Sequence, residues 1–383
     1  MANIKKYIKK DGSTAYEFSL YLGMDHVTGK KRRTTRRGFT SLKGAKTAMN
    51  RLQYKVQENG FKKQKSYTYN EIYLLWIEQY KNTVKESTLQ KTTKLFEHHI
   101  LPLFSDLRID KVDTAYCQKG INKWFKKGLT SYKILLRYTS KVFKMAVNMN
   151  IIETDPTAKV TVPVKRENEV IEKLPRFYDK EELEQFFSSL AKEGNKKNLA
   201  LFRALAFSGA RIGEILALEW RDIDFNASTL SVNKTLTRGL NNRLMVDVPK
   251  TRKSIRVISL DPITMQVLRV WKLEQAESYF KLGFNTGRIK QPVFTNSKNA
   301  YINSSKIYRD YSRVVKKYDL KKINIHGFRH THCSLLFEAG ASLKEVQDRL
   351  GHTDVQTTMN IYAHVTKRAK DETASKFADH VGF

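Results

Sequence analysis

The stretch HGFRHTH, His326 to His332, sets three of the chain's nine histidines beside an arginine. Two chemistries compete for such a cluster. His326 and His330 stand four apart, the spacing of a zinc pair on one helix face. No glutamate follows the first histidine, however, and Arg329 lies on the adjoining face. A metal there would sit beside an obligate cation. An anion uses the same residues better, because arginine binds phosphate bidentately and histidine can donate to it or move a proton.

Other clusters rich in anion-binding types lie in the same half of the chain. In SGARIGEILALEW, Arg211 follows Gly209 and stands one turn before Glu214. A guanidinium at a helix start suits a phosphate. Taken alone, an ordinary surface Arg211–Glu214 pair is the better explanation. In VPKTRKSIRVISL, Lys250 is expected at a turn between two strands, with Arg252, Lys253 and Arg256 crowded beside it and most of these cations solvated or facing phosphate. Spacing does not decide which of these cations matters. In RLGHTDVQTTMNIYAH, His352 precedes Tyr362. A phenol can be a nucleophile once its proton is removed or its charge is offset.

The composition agrees with an anionic partner. Lys and Arg number 70 against 38 Asp and Glu, a net charge of +32. Such an excess points to nucleic acid. The two cysteines, Cys117 and Cys333, can form neither a disulfide framework nor a cysteine-based zinc motif. Reduced thiols in a cytoplasm are the expectation. The opening MANIKKYIKK lacks the apolar core of a signal peptide, and no apolar run is long enough to span a membrane.

Two or three domains must position these residues in a chain of 383. Residues 1–64 read as a small three-stranded β-sheet plus a helix. Asp11-Gly12 and Thr28-Gly29 mark turns, and Ser41 caps a helix ending near Gly60. This segment holds 16 Lys and Arg against 4 Asp and Glu. Its third strand carries Lys30, Lys31, Arg32, Arg33, Arg36 and Arg37. These could enter a DNA groove, or merely blunt an edge strand.

Residues 66–160 read as an all-α bundle of about four helices. Thr68 with Glu71 and Ser87 with Gln90 resemble capping boxes, Pro102 ends the second helix, and Asp113 and Thr130 open two more. Residues 151–176 change character, punctuated by Pro156, Pro163 and Pro175, and 161–176 reads as a linker. Residues 177–383 read as a mainly α domain with a small antiparallel β-sheet between Leu230 and Leu260. Asp179 caps its first helix.

Arg211, Lys250, His326, Arg329, Leu350-Gly351-His352 and Tyr362 occur in the order seen in tyrosine recombinases. With GARIGEILALEWRDIDF, HGFRHTH and LGHTDVQTTMNIYAH around them, the whole chain resembles a lambda-integrase-like phage integrase of phage or conjugative-transposon type. The resemblance implies an arm-type DNA-binding domain (1–64), a core-binding helical domain (66–160) and a catalytic domain with a C-terminal tail (177–383).

It also implies site-specific DNA recombination through a covalent 3′-phosphotyrosine on Tyr362. Arg211 and Arg329 would hold the scissile phosphate, Lys250 would protonate the leaving 5′-oxygen, His326 would act as acid/base, His352 would bond the phosphate, and Glu214 would orient Arg211. Lys250 is preferred to Lys253 because of the family position. His330, His332 and His364 receive no role. Neither metal nor another cofactor is implied.

The implied partners are double-stranded DNA at core and arm sites, further copies in a homo-tetramer docked through the tail 366–383, a DNA-bending host factor and an excisionase. The implied location is the bacterial cytoplasm, at the nucleoid. Rival readings are a type IB-like topoisomerase, a catalytically silent DNA-binding regulator and a zinc-dependent nuclease.

Overall fold

The computed structural model describes residues 3–24, 31–59, 66–164, 177–249 and 254–351, with residues 359 and 381–382. The chain divides into two compact units, one of Met1–Gln79 with Phe96–Pro163, the other of Tyr80–Leu95 with Val164–Phe383.

The first unit opens with strands β1 (Asn3–Ile8), β2 (Thr14–Met24) and β3 (Lys31–Phe39), antiparallel in the order β1-β2-β3. Alternation along β2 buries Phe18, Leu20 and Leu22. They pack on Ala48, Met49, Leu52 and Val56 of helix α1 (Leu42–Asn59). The Ser41 hydroxyl accepts the Gly44 N–H at 3.1 Å, as its capping position implies. β3 is an edge strand, and Lys31, Arg33, Arg36 and Arg37 are exposed on it. Arg37 also reaches Glu17 at 2.7 Å.

Helix α2 (Tyr69–Tyr80) starts from the expected box: Glu71 N–H donates to the Thr68 hydroxyl at 3.2 Å, and Thr68 N–H to the Glu71 carboxylate at 2.8 Å. Pro102 does not end a helix. It lies in the first turn of α4 (Leu101–Phe104), after a π turn at Phe96–Ile100. The missing N–H of a proline costs nothing in a first turn. Asp113 caps α5 (Thr114–Lys126) through the Tyr116 N–H at 2.7 Å, and Ser131 rather than Thr130 precedes α6 (Tyr132–Asn148). Tyr69, Phe104 and Phe143 meet edge-on or tilted in the core of these helices.

In the second unit, α3 (Glu86–Leu95) already includes Ser87, so Ser87 does not cap it. Helices α7 (Lys180–Lys192), α8 (Lys196–Ser208), α9 (Ile212–Leu216), α10 (Pro262–Phe280), α11 (Ser304–Lys317) and α12 (Gly327–Glu338) share one core, and α13 (Leu343–Leu350) packs Val346 and Leu350 on Cys333 and Phe337 of α12 in a second cluster. Asp179 and Glu182 form the capping box of α7. Phe186, Phe202, Tyr311 and Phe328 bring α7, α8, α11 and α12 together, with Phe186 and Phe328 centroids 5.1 Å apart.

The β region holds two sheets. β4 (Ile223–Asp224), β5 (Thr229–Val232) and β8 (Arg256–Ser259) form one, while β6 (Thr235–Arg238) and β7 (Leu244–Asp247) form the other. TLSVNKTLT is therefore broken at Asn233-Lys234. Asp222 accepts both Asn233 Nδ2 and Lys234 Nζ, which fixes the break. Among the described residues no helix is long and apolar enough to cross a membrane.

Candidate active site

The site is built where two helices stop. α8 ends at Gly209 with φ +64°, and α13 ends at Gly351 with φ +67°, the left-handed cap that glycine tolerates. Helix C-termini leave carbonyls without intrahelical donors and concentrate negative partial charge. Arginines satisfy them here. Arg329, on the first turn of α12, donates Nη1 to the Gly209 carbonyl at 2.8 Å and Nη2 to the Leu350 carbonyl at 2.7 Å. Its side chain is 2% exposed. Burial, then the nearby Arg211, lowers its pKa to about 9, so it remains charged at neutral pH.

Arg211 begins α9, as its place after Gly209 suggests. Its N–H donates to Glu214 Oε2 at 3.0 Å and its Nη1 to Glu214 Oε1 at 2.8 Å. The Arg211 side chain is 41% exposed while Glu214 is 4% exposed, so the guanidinium is anchored from below and open above. Burial pushes the Glu214 carboxyl up, but the Arg256 charge and the bonds from Arg211 outweigh it and hold the pKa below the usual range.

Most of the cations beside Lys250 are expected to be solvated or phosphate-facing, and Arg256 instead turns inward. Its side chain is 7% exposed and donates Nη2 to Glu214 Oε2 at 3.0 Å. The reason is strand parity. Arg256 lies on the same side of β8 as buried Ile258, whereas Val257 is 66% exposed. That alternation was the available signal for an inward charge.

His326 precedes α12, and its ring meets His330 edge-on at 4.8 Å. Burial of the ring, then His330, Arg329 and Arg211, lowers its pKa to about 4. It is neutral at pH 7 and can accept a proton or donate one hydrogen bond. A zinc pair is poorly served where Arg329 and Arg211 both act on the ring, and among the described residues no group of three metal-ligating side chains exists. His330 Nδ1 is buried without a hydrogen-bond partner.

His332 also has a defined place. Its Nε2 accepts Arg349 Nε at 2.9 Å, and it bonds the Ala206 backbone. Burial and then Arg349 push its pKa down to about 3. Arg349 further donates to the carbonyls of Phe207 at 3.1 Å and Ser259 at 3.0 Å. Sequence reasoning gave neither Arg349 nor Arg256 a part in the site.

Lys30, Lys250, His352, Tyr362, His364 and residues 366–380 lie outside the described residues. The structure thus brings together Arg211, Glu214, His326 and Arg329. Among the described residues, Arg211 and Arg256 pair with the Glu214 carboxylate, and the Arg329 guanidinium feels its charge. The remaining positive charge suits an anion in front of Arg211 and Arg329.

Comparison with known proteins is consistent along the chain. Residues 176–369 match the phage integrase family, residues 68–125 its N-terminal SAM-like domain, and residues 3–56 an arm DNA-binding domain. The ICEBs1 integrase of Bacillus subtilis is 28% identical over 387 residues, which cover 97% of this chain and 99% of that one. A XerC-like tyrosine recombinase of Caldanaerobacter subterraneus is 28% identical over 287 residues, covering 71% and 72%. The Tn1549 transposon integrase, solved in complex with a circular intermediate DNA, shares the fold with TM-score 0.63 at 22% identity, over 81% of this chain and 100% of that one. A lambda integrase tetramer bound to a Holliday junction matches with TM-score 0.56 at 16% identity, over 91% and 95%. The chain belongs to the phage integrase family of tyrosine-type site-specific recombinases.

Proposed function

We propose that this recombinase breaks and rejoins DNA by attack of Tyr362 Oη on a scissile phosphodiester. The Oη–P bond forms, the P–O5′ bond breaks, and a 3′-phosphotyrosine and a free 5′-hydroxyl result. His326 takes the phenolic proton, and Lys250 delivers a proton to the departing O5′. Arg211 and Arg329 hold the non-bridging oxygens, His352 bonds the phosphate, and Glu214 keeps Arg211 aimed. A 5′-hydroxyl from a partner strand then reverses the steps on a new junction. The bond energy is conserved in the phosphotyrosine link, so the cycle balances without an external energy source.

One observation carries this reading. Arg329 is almost fully buried, yet charged, beside the open guanidinium of Arg211 and the neutral ring of His326. A phosphodiester oxygen suits such a cluster of positive charge, and a preorganised donor pair is worth most where water is excluded.

The +32 charge supports double-stranded DNA as the partner. The exposed cations of β3 (Lys31, Arg33, Arg36 and Arg37), with Lys30 and Arg32 beside them in sequence, support arm-site binding separate from core-site binding. Assembly as a homo-tetramer through the C-terminal tail, a DNA-bending host factor, an excisionase and a nucleoid location complete the proposal. Its outcome is integration and excision of a mobile element.

Exchange between two differently labelled duplexes carrying the attachment site tests it. Recombinant products should form, also in EDTA. Relaxation of supercoils with no exchanged strands would place the chain with the topoisomerases instead, and loss of all activity in EDTA would place it with metal nucleases.

A further inference from the structure

Arg256 is anchored as firmly as Arg329, yet the proposed chemistry does not use it. Its three donor atoms all have partners. Nη2 reaches Glu214 Oε2 at 3.0 Å, Nε reaches the Arg349 carbonyl at 2.8 Å, and Nη1 reaches the Ser254 carbonyl at 3.1 Å. The Glu214 oxygen it holds is the one that accepts the Arg211 N–H, and the other oxygen of the same carboxylate holds the Arg211 guanidinium. The carbonyl it holds belongs to the residue just before Leu350, whose own carbonyl holds Arg329. One buried fork therefore touches the supports of both phosphate-facing arginines.

We infer that Arg256 is a positioning residue of the recombination site: it fixes the Glu214 carboxylate that aims Arg211 and ties the end of α13 to strand β8. Glu214 is 4% exposed and Arg256 is 7% exposed, so neither can exchange its partner for water. Without Arg256, burial would favour the protonated carboxyl, which is a poorer anchor for a guanidinium. Lysine can replace it only in part, because one ammonium keeps the charge but cannot hold a carboxylate and a carbonyl with a planar fork. The inference rests on the reading that Arg211 faces the scissile phosphate.

A neutral substrate tests it. A methylphosphonate at the scissile position replaces one charged oxygen by methyl, which removes most of the need for a guanidinium there. Single-turnover cleavage is measured on the natural and the methylphosphonate duplex for the parent chain, Arg211→Ala, Arg256→Gln, Arg256→Lys and the double variant Arg211→Ala/Arg256→Gln.

On natural DNA, Arg256→Gln should be slower by about tenfold or more, with DNA affinity changed less than about threefold. On methylphosphonate DNA that deficit should shrink by most of its size, as should that of Arg211→Ala. The double variant should be slowed by clearly less than the product of the two single effects, since Arg256 acts in large part through Arg211. Arg256→Lys keeps the charge beside Glu214 and serves if the glutamine variant is unstable. It should show a smaller deficit with the same relief.

Equal deficits of the Arg256 variants on both substrates, or a double variant slowed by the product of the single effects, would overturn the inference. If Arg211→Ala itself gains nothing from the neutral substrate, the phosphate contact of Arg211 is refuted and the inference falls with it.

Discussion

Gly209 joins the end of α8 to the arginine cluster, and replacing it by alanine perturbs both. At Gly209 φ is +64°, and an added Cβ would lie 2.6 Å from His332 Cδ2 and 2.6 Å from Leu350 Cδ2. Neither neighbour yields easily. His332 is held by Arg349 at 2.9 Å, and Leu350 is fully buried. Gly340 supplies the control, with φ +88° and nothing within 4 Å of an added Cβ.

Both substitutions carry the left-handed strain of about 1–2 kcal/mol. Gly209→Ala adds overpacking of about 1–3 kcal/mol. Gly340→Ala should therefore cost about 1–2 kcal/mol and Gly209→Ala about 2–5 kcal/mol. At about 2–4 °C per kcal/mol for a unit of this size, calorimetry should separate the two melting temperatures by about 5 °C. The Gly209 carbonyl accepts from Arg329 at 2.8 Å, so cleavage by Gly209→Ala should also fall about tenfold or more at a temperature where it is folded. Equal melting temperatures for the two variants, with normal cleavage by both, would refute the reasoning.

Three further outcomes follow from the same contacts. His332 has a folded pKa of about 3, below the ordinary 6.5, so its contribution is present above pH 6.5 and is lost as pH falls towards 3. At pH 5 the loss is about 2 kcal/mol, and His332→Gln should flatten the fall in melting temperature between pH 7 and pH 5; an unchanged slope would count against it. Thr331 is fully buried and its hydroxyl accepts the Tyr178 N–H at 2.9 Å, so Thr331→Val should cost about 1–3 kcal/mol in denaturant unfolding by orphaning that donor, while a neutral result would mean the N–H finds another partner. Arg36→Ala on β3 should reduce the salt dependence of arm-site binding by about one unit of log–log slope, and an unchanged slope would remove Arg36 from the interface.

Much of this organisation was legible because it is local. Asp179, Asp113 and Thr68 cap helices through bonds that span three residues, and such bonds leave a spacing in the chain. The alternation of β2 shows in its buried Phe18, Leu20 and Leu22. Arg329 stands out by residue type among histidines, whereas Arg211 stands out only through the family resemblance of the motif order.

What escaped depends on distant pairings. Arg256 reads as one more cation in a basic run until β8 pairs with β5 and turns it inward opposite Val232. Arg349 and His332 lie 17 positions apart and meet because α12 and α13 pack together. Pro102 looked like a stop because a proline cannot show in advance that a π turn precedes it. Ser87 carries a good cap signal, but Glu86 is already helical.

The central claim is that Tyr362 is the nucleophile in front of this arginine pair. The most direct test is a duplex nicked near the cleavage site, on which the short product diffuses away and any phosphotyrosine link is trapped. The parent chain should become covalently attached to the 3′ end of the cut strand, and Tyr362→Phe should bind the duplex without attachment. Covalent trapping by Tyr362→Phe, or cleavage by the parent chain with no protein–DNA link, would contradict the account.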